Sequence, residues 1–181
     1  MADAQLGLGN REQAWSTGRM ALDSFVEHEQ WQRAVETCSL LYQTEQPASI
    51  VALGHGVWLA VTYPVEPEIT VLMLSNIVDE TPAHSDGAAV AAATAHYIAG
   101  LRTASDKHAE GLGFITTNLI ARVAERHSDV TDQQQLDDWM DRLELREPQD
   151  FLPRLATVVD ILVDDQWWFD REALREKLPV N

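Results

Sequence analysis

Residues 51–61, VALGHGVWLAV, place one imidazole between two glycines in an otherwise apolar run. They belong to residues 46–65, the longest stretch without Asp, Glu, Lys or Arg. Pro47 and Pro64 bracket only 16 residues of it, whereas a membrane-spanning helix needs ~20 predominantly apolar residues. We therefore predict that this stretch is a helix buried in the protein core, opened by Pro47 and ended near Pro64.

The glycines beside His55 indicate that another part of the structure comes close to this helix. Inside a helix Gly54 and Gly56 each cost about 1 kcal/mol relative to alanine. Such positions usually have a packing or functional reason, because a neighbouring helix or a ligand can then approach the backbone. His55 would share its helix face with Trp58, three residues on.

A second uncharged run, GAAVAAATAHYIAGL at residues 87–101, carries His96 among small side chains. The two runs predict two central apolar helices that pack on each other and bring His55 and His96 together. One interpretation is a ligand or metal pocket formed by His55, His96 and Trp58, with the histidines as an acid–base pair or ligands. The simpler interpretation, which we favour, is that each imidazole is hydrogen-bonded and packed in the core.

Helical patterns dominate the rest of the chain, and the fold class is predicted as all-α. Apolar residues recur at spacings of three and four within residues 11–26 and 29–43. Only residues 67–78, with their β-branched side chains, leave a choice between a short helix and a strand. We predict a flexible tail at residues 1–10 and, at residues 11–181, a single-domain bundle of about eight helices.

Local signals predict where several later helices begin. Thr81 before Pro82 is typical of a helix start, and Ser105 is the predicted N-cap of the helix that follows residue 102. Thr131 and Gln134 have the spacing of a capping box. Pro148 or Pro153 should begin the next helix, and Asp170 should cap the last one.

The charge of the chain is strongly negative, with 29 acidic residues against 13 basic ones and a net charge of −16. Only Lys107 and Lys177 are lysines. This charge repels phosphate, so nucleic-acid binding and docking on an anionic membrane are not expected. Three explanations of the acidity stay open: a solvating coat, possible in a salt-rich cytoplasm; a docking surface for a basic partner protein; and mimicry of DNA.

Common catalytic and metal-binding motifs are missing from the sequence. No Glu-x-x-His pair, no two histidines four apart, no G-K-[ST] and no G-x-S-x-G occur. Cys38 is the single cysteine and lies in an apolar helical pattern, where a thiol behaves as a small hydrophobic side chain. We accordingly predict no catalytic residues, no metal site and no cofactor, and lean towards a protein that is not an enzyme.

The stretch VDDQWWFDREALREK, residues 163–177, sets three adjacent aromatic residues between aspartates. One interpretation is that a bend directs two rings into the core. The other is an aromatic anchor with an acidic rim, the composition of a protein–protein hot spot. The predicted partner-binding residues are Trp167, Trp168, Phe169, Asp164, Asp165 and Arg171.

Together these patterns predict a cytoplasmic, all-α accessory or adaptor protein that binds another protein, alone or as a homodimer. The N-terminal residues MADAQLGLGN lack the basic start and apolar core of a signal peptide. The alternative hypothesis is a ligand- or metal-binding bundle, enzymatic or not, built around the two histidines. A third is a DNA-mimic inhibitor.

Overall fold

The computed structural model describes residues 2–103 and 109–178, and within them the chain forms ten helices and no strand. Their bounds are α1 Ala2–Gly7, α2 Arg11–Glu27, α3 Trp31–Gln43, α4 Ser49–Thr62, α5 Pro67–Glu80, α6 Asp86–Thr103, α7 Ala109–Ser128, α8 Gln133–Arg142, α9 Pro148–Val163 and α10 Arg171–Glu176. The all-α prediction is confirmed. Residues 67–78, which left a strand open, are helical in α5.

Each of the first seven helices packs on the next one along the chain, and α9 then returns to pack on both α4 and α6. The short connections make consecutive helices antiparallel, so α4 and α6 run in the same direction on either side of α5. Helix α9 thus closes the bundle opposite α5. The C-terminal ends of α4 and α6 come to lie at one end of the molecule.

Helices α4 and α6 are central, as predicted, because most of their side chains are buried. They do not pack on each other in the predicted way: α4 contacts α3, α5 and α9, and α6 contacts α5, α7 and α9. The uncharged runs predict that both helices are buried. A helix that is buried on all sides does not indicate which other helices surround it. In the part of the chain that the structure describes, no helix combines the length and apolar composition that crossing a membrane requires.

Several predicted helix starts are shifted. Thr81 is the C-cap of α5, and its hydroxyl donates to the Ile77 carbonyl instead of opening α6. At α8 the cap is Asp132, one residue after Thr131, and its carboxylate accepts the Gln135 N–H. Either residue can cap, and the backbone geometry selects Asp132.

Of the other predicted helix ends, some are confirmed and some are corrected. Asp170 caps α10 as predicted, accepting the N–H groups of Glu172 and Ala173. Pro148 begins α9, and Pro153 lies inside that helix. Where a flexible tail was predicted, Ala2–Gly7 form the short helix α1 against α2. The predicted cap at Ser105 lies outside the described residues.

Arginine side chains donate hydrogen bonds at the C-terminal ends of three helices. The last carbonyl groups of a helix have no donor within the helix itself. Arg102 donates to the carbonyls of Ala60, Tyr63 and Val65 at 2.8–3.0 Å and to the Thr70 hydroxyl at 3.0 Å. In the same way Arg126 donates to the Val78 carbonyl in α5, and Arg154 donates to the Leu143 carbonyl after α8. A cation at a helix C-terminus satisfies carbonyl groups and opposes the helix dipole.

The glycines of α4 allow the close approaches that the sequence indicated. A Cβ on Gly54 would lie 2.5 Å from Val163 Cγ2 of α9, and one on Gly56 would lie 2.7 Å from Cys38 Cβ of α3. Both distances are shorter than non-bonded carbon atoms tolerate. The glycines therefore set how closely α9 and α3 pack on the central helix.

Gly54→Ala is expected to destabilise the protein by about 1–3 kcal/mol, because the added methyl group forces the stiff Val163 side chain and α9 to move. Gly100→Ala is the matched control, since a Cβ at this position of α6 meets nothing within 4 Å. It should stabilise the helix by about 0.5–1 kcal/mol. Urea unfolding measures the change in the free energy of unfolding for both variants. Equal changes in the two variants would contradict the close packing of α4 on α9.

Candidate functional site

His55 is fully buried, and both of its ring nitrogens are hydrogen-bonded. The backbone N–H of Trp168 donates to Nε2 at 2.9 Å, so Nε2 is the unprotonated nitrogen. The proton is therefore on Nδ1, which donates to the Val51 carbonyl one turn earlier in α4 at 2.7 Å. Protonation of Nε2 would break the bond to Trp168, so the geometry requires the neutral imidazole.

Burial also lowers the pKa of His55, from its ordinary 6.5 to about 4. The Val51 carbonyl opposes this shift, and the nearby guanidinium groups of Arg19 and Arg171 add to it. At neutral pH the imidazole is uncharged and its two nitrogens are both occupied. His55 therefore acts as a connector between α4 and the end of the chain, as the simpler interpretation predicted.

The rings around His55 form a continuous aromatic cluster that contains five of the six tryptophans. The His55 ring stacks on Trp168 with centroids 4.3 Å apart, and lies 4.9 Å from Trp167 and 5.0 Å from Phe169. Trp58 continues the contacts from Phe169 towards Tyr63. The full set of the aromatic cluster is Trp15, Trp31, His55, Trp58, Tyr63, Trp167, Trp168 and Phe169.

Two arginines cover the outer faces of the C-terminal tryptophans. The Arg19 guanidinium lies 3.9 Å from the centroid of Trp168, whose other face stacks on His55. Arg171 lies 3.7 Å from the centroid of Trp167 and also pairs with Asp160 of α9 at 2.6 Å. Both faces of Trp168 are thus occupied by groups of this chain, and only part of its edge reaches solvent.

The C-terminal segment, residues 164–178, is bonded to the end of α4 and to the connection between α2 and α3. The hydroxyl of Tyr63 donates to the Leu174 carbonyl at 3.2 Å, and Lys177 pairs with Glu29 at 3.4 Å. The predicted acidic rim is on the surface: Asp164 and Asp165 are exposed and adopt left-handed backbone conformations, with φ of 47° and 60°. They turn the chain so that the aromatic residues fold back on α4.

His96 lies apart from His55, on the side of α6 that faces α7. It is exposed, and its Nδ1 is 3.0 Å from the Thr116 hydroxyl of α7. Of the predicted ligand-binding residues, the structure thus brings His55 and Trp58 into one cluster and leaves His96 outside it. Among the described residues, no group of three or more His, Cys, Asp or Glu side chains is placed to hold a metal ion.

Cys38 is fully buried in α3, and burial raises the pKa of its thiol to about 12. The thiol is therefore protonated at neutral pH and lacks the thiolate character of a nucleophile. Its Cβ packs under Gly56. The prediction of a core cysteine is confirmed.

One feature that the sequence patterns did not reveal is an apolar groove of about 260 Å³ beside the aromatic cluster. Its walls are mostly apolar side chains of α4, α6 and α9, including Trp58, and its charged lining among the described residues is Arg102 and Arg175. No local signal marks it, because the three helices that form it are separated by whole helices in the chain.

The sequence matches no protein-family model, and the comparisons with curated proteins and solved structures found no match. A proposal about its function therefore rests on the side chains themselves.

His55 should make the protein less stable as the pH is lowered. The pKa of His55 is lower in the folded than in the unfolded state, so its contribution to stability is fully present above pH 6.5, and roughly 3 kcal/mol of it is lost as the pH falls to 4. In His55→Leu this contribution is gone. The difference in free energy of unfolding between the wild type and the variant should therefore shrink by that amount between pH 7 and pH 4.

Urea unfolding at several pH values measures this difference. His28→Gln, which replaces an exposed histidine, is the control and should follow the wild type. Parallel curves for the wild type and His55→Leu would show that the imidazole is not held in its neutral form.

Trp168→Ala is expected to lower the free energy of unfolding by about 2–4 kcal/mol, because it removes the ring between His55 and Arg19. Trp168→Phe retains one stacked ring and should cost less. Phe114→Ala is the control, since this ring is 71% exposed and its loss should change stability by less than about 0.5 kcal/mol. An unchanged stability of Trp168→Ala would mean that the C-terminal segment is not part of the cooperative core.

Proposed function

We propose that the protein is a cytoplasmic accessory protein that acts by binding another protein through an apolar patch set in an acidic surface. The observation that carries this proposal is the exposure of large apolar side chains at the α6–α7 end of the bundle. Phe114 is 71% exposed and the adjacent Ile115 is 54% exposed. Leu101, at the end of α6, is 62% exposed. We call these three residues the α7 patch.

The register of the two helices supports grouping these residues. His96 contacts Thr116, so the antiparallel α6 and α7 bring Leu101 opposite the first turn of α7. Phe114 lies one turn further along α7. Scattered exposed apolar residues need no explanation, but an aromatic and two aliphatic side chains at one end of a domain have the makeup of a docking site.

The charge of the protein defines the kind of partner. The net charge of −16 attracts, at long range, a partner that carries Lys and Arg around its apolar contact residues. Such complementarity speeds association and excludes acidic proteins more than it adds affinity. The acidity also favours solubility, so the coat and docking explanations are compatible.

In this proposal the C-terminal aromatic residues have a supporting part. Trp167, Trp168 and Phe169 stay partly exposed beside Asp164 and Asp165, and the contacts with His55 and Arg19 hold their rings rigid. Rigid aromatic edges bind with little loss of conformational entropy. Their faces are already covered, however, so the α7 patch offers more apolar surface to a partner.

Affinity purification of the tagged protein from its native host tests the proposal, with mass spectrometry of what is retained. The double variant Phe114→Ser/Ile115→Ser should reduce a stoichiometric partner by about tenfold or more, since hot-spot residues each contribute above about 1.4 kcal/mol. Ile161→Ser is the matched control, because Ile161 is 72% exposed on α9 and should leave the partner bound.

Retention of the partner by the double variant would contradict docking at the α7 patch. Light scattering of the purified wild type identifies the case in which the partner is a second copy of this chain. A dimer that the double variant converts to a monomer would assign the patch to self-association.

A further inference from the structure

The groove beside the aromatic cluster lies between α4, α6 and α9. Its walls are mostly apolar, and its volume is about 260 Å³. The lining includes Trp58 and Val61 of α4, Leu101 of α6, and Leu155 and Ala156 of α9. Helix α10 borders it through Arg175, whose guanidinium carbon is 5.9 Å from the centroid of Trp58.

The charge of this groove is opposite to that of the protein. Although acidic residues outnumber basic ones by 29 to 13, the charged residues that line the groove in the described part of the chain are two arginines, Arg102 and Arg175. Among the described residues, Arg102 is hydrogen-bonded to neutral oxygen atoms. Arg175 pairs at 3.0 Å with Glu172, whose side chain is 77% exposed, and such surface pairs are weak.

We propose that the groove is a binding site for a small monocarboxylate with an apolar body of about eight carbons. The apolar walls would hold the body, and Arg175 would bind the carboxylate, which displaces Glu172. Arg102 contributes its charge from the floor of the groove, since its four terminal N–H groups are already donated to the protein.

Size and charge restrict the ligand. If each methylene-sized group takes roughly the 30 Å³ that a water occupies in the liquid, 260 Å³ holds roughly nine such groups. A single negative charge is favoured because the net charge of −16 repels ions of higher charge. This site is separate from the protein-binding patch except for Leu101, and the proposal does not depend on that function.

Titration of the ¹⁵N-labelled full-length protein with octanoate tests the site, with the indole N–H signal of Trp58 as the reporter. That signal should shift in a saturable manner, while the signal of Trp139, which is buried in α8 outside the groove, should not. 1-Octanol has the same body without charge and should bind about tenfold more weakly, the difference that a charge-assisted hydrogen bond makes. Butyrate, with the charge but a short body, should not saturate the site.

Two variants locate the binding. Arg175→Gln should weaken octanoate by about tenfold, to the level of 1-octanol, and leave 1-octanol unchanged. Arg11→Gln is the matched control, because Arg11 is equally exposed and also pairs with a glutamate, Glu45. Ala156→Phe should fill the groove and abolish binding of both molecules, and thermal unfolding checks that each variant remains folded.

No shift of Trp58 with octanoate would overturn the proposal, and so would saturable shifts that persist in folded Ala156→Phe. Equal affinity for octanoate and 1-octanol would also overturn it, since the arginines would then have no part in recognition. Loss of octanoate binding in Arg11→Gln would assign the effect to overall charge instead of to the groove.

Discussion

The hydrogen bond from the Trp168 N–H to Nε2 of His55 joins the two regions on which the site depends. A neutral imidazole offers one donor and one acceptor. Because His55 gives its donor to a carbonyl of its own helix, its acceptor is available to a backbone N–H more than a hundred residues away. That bond seats the C-terminal segment on α4, and with it the aromatic cluster and the groove edge at Arg175.

Three arginines of the described residues are directed at backbone carbonyls instead of, or in addition to, carboxylates. Arg102, Arg126 and Arg154 donate to carbonyls at or just beyond the C-terminal ends of helices, where a planar guanidinium reaches several acceptors at once. A lysine ammonium lacks that fork, which gives the preference for 11 arginines over two lysines a structural reason besides charge. None of the carboxylates in the described residues is buried, so the negative charge lies on the surface of the protein.

The proposed protein-binding patch and the groove lie at the same end of the bundle. This placement follows from the parallel direction of α4 and α6, which brings both C-terminal ends together. Leu101 belongs to both surfaces, lining the groove while remaining largely exposed. Leu101 is therefore exposed at the same end of the molecule at which Arg102 and Arg175 line the apolar groove.

The sequence by itself determined the helical class, the burial of the two uncharged runs and the close approach at Gly54 and Gly56, since composition and spacing act locally along a helix. It also predicted a packed, hydrogen-bonded His55. It was wrong about the His96 partnership and about the helix start at Thr81. Tertiary structure alone decided that the two central helices pack mainly on α5 and α9 and that the partner of His55 is Trp168. A helix buried on all sides has no polar face to orient it, so its neighbours are selected by shape and by long-range hydrogen bonds that no local pattern encodes.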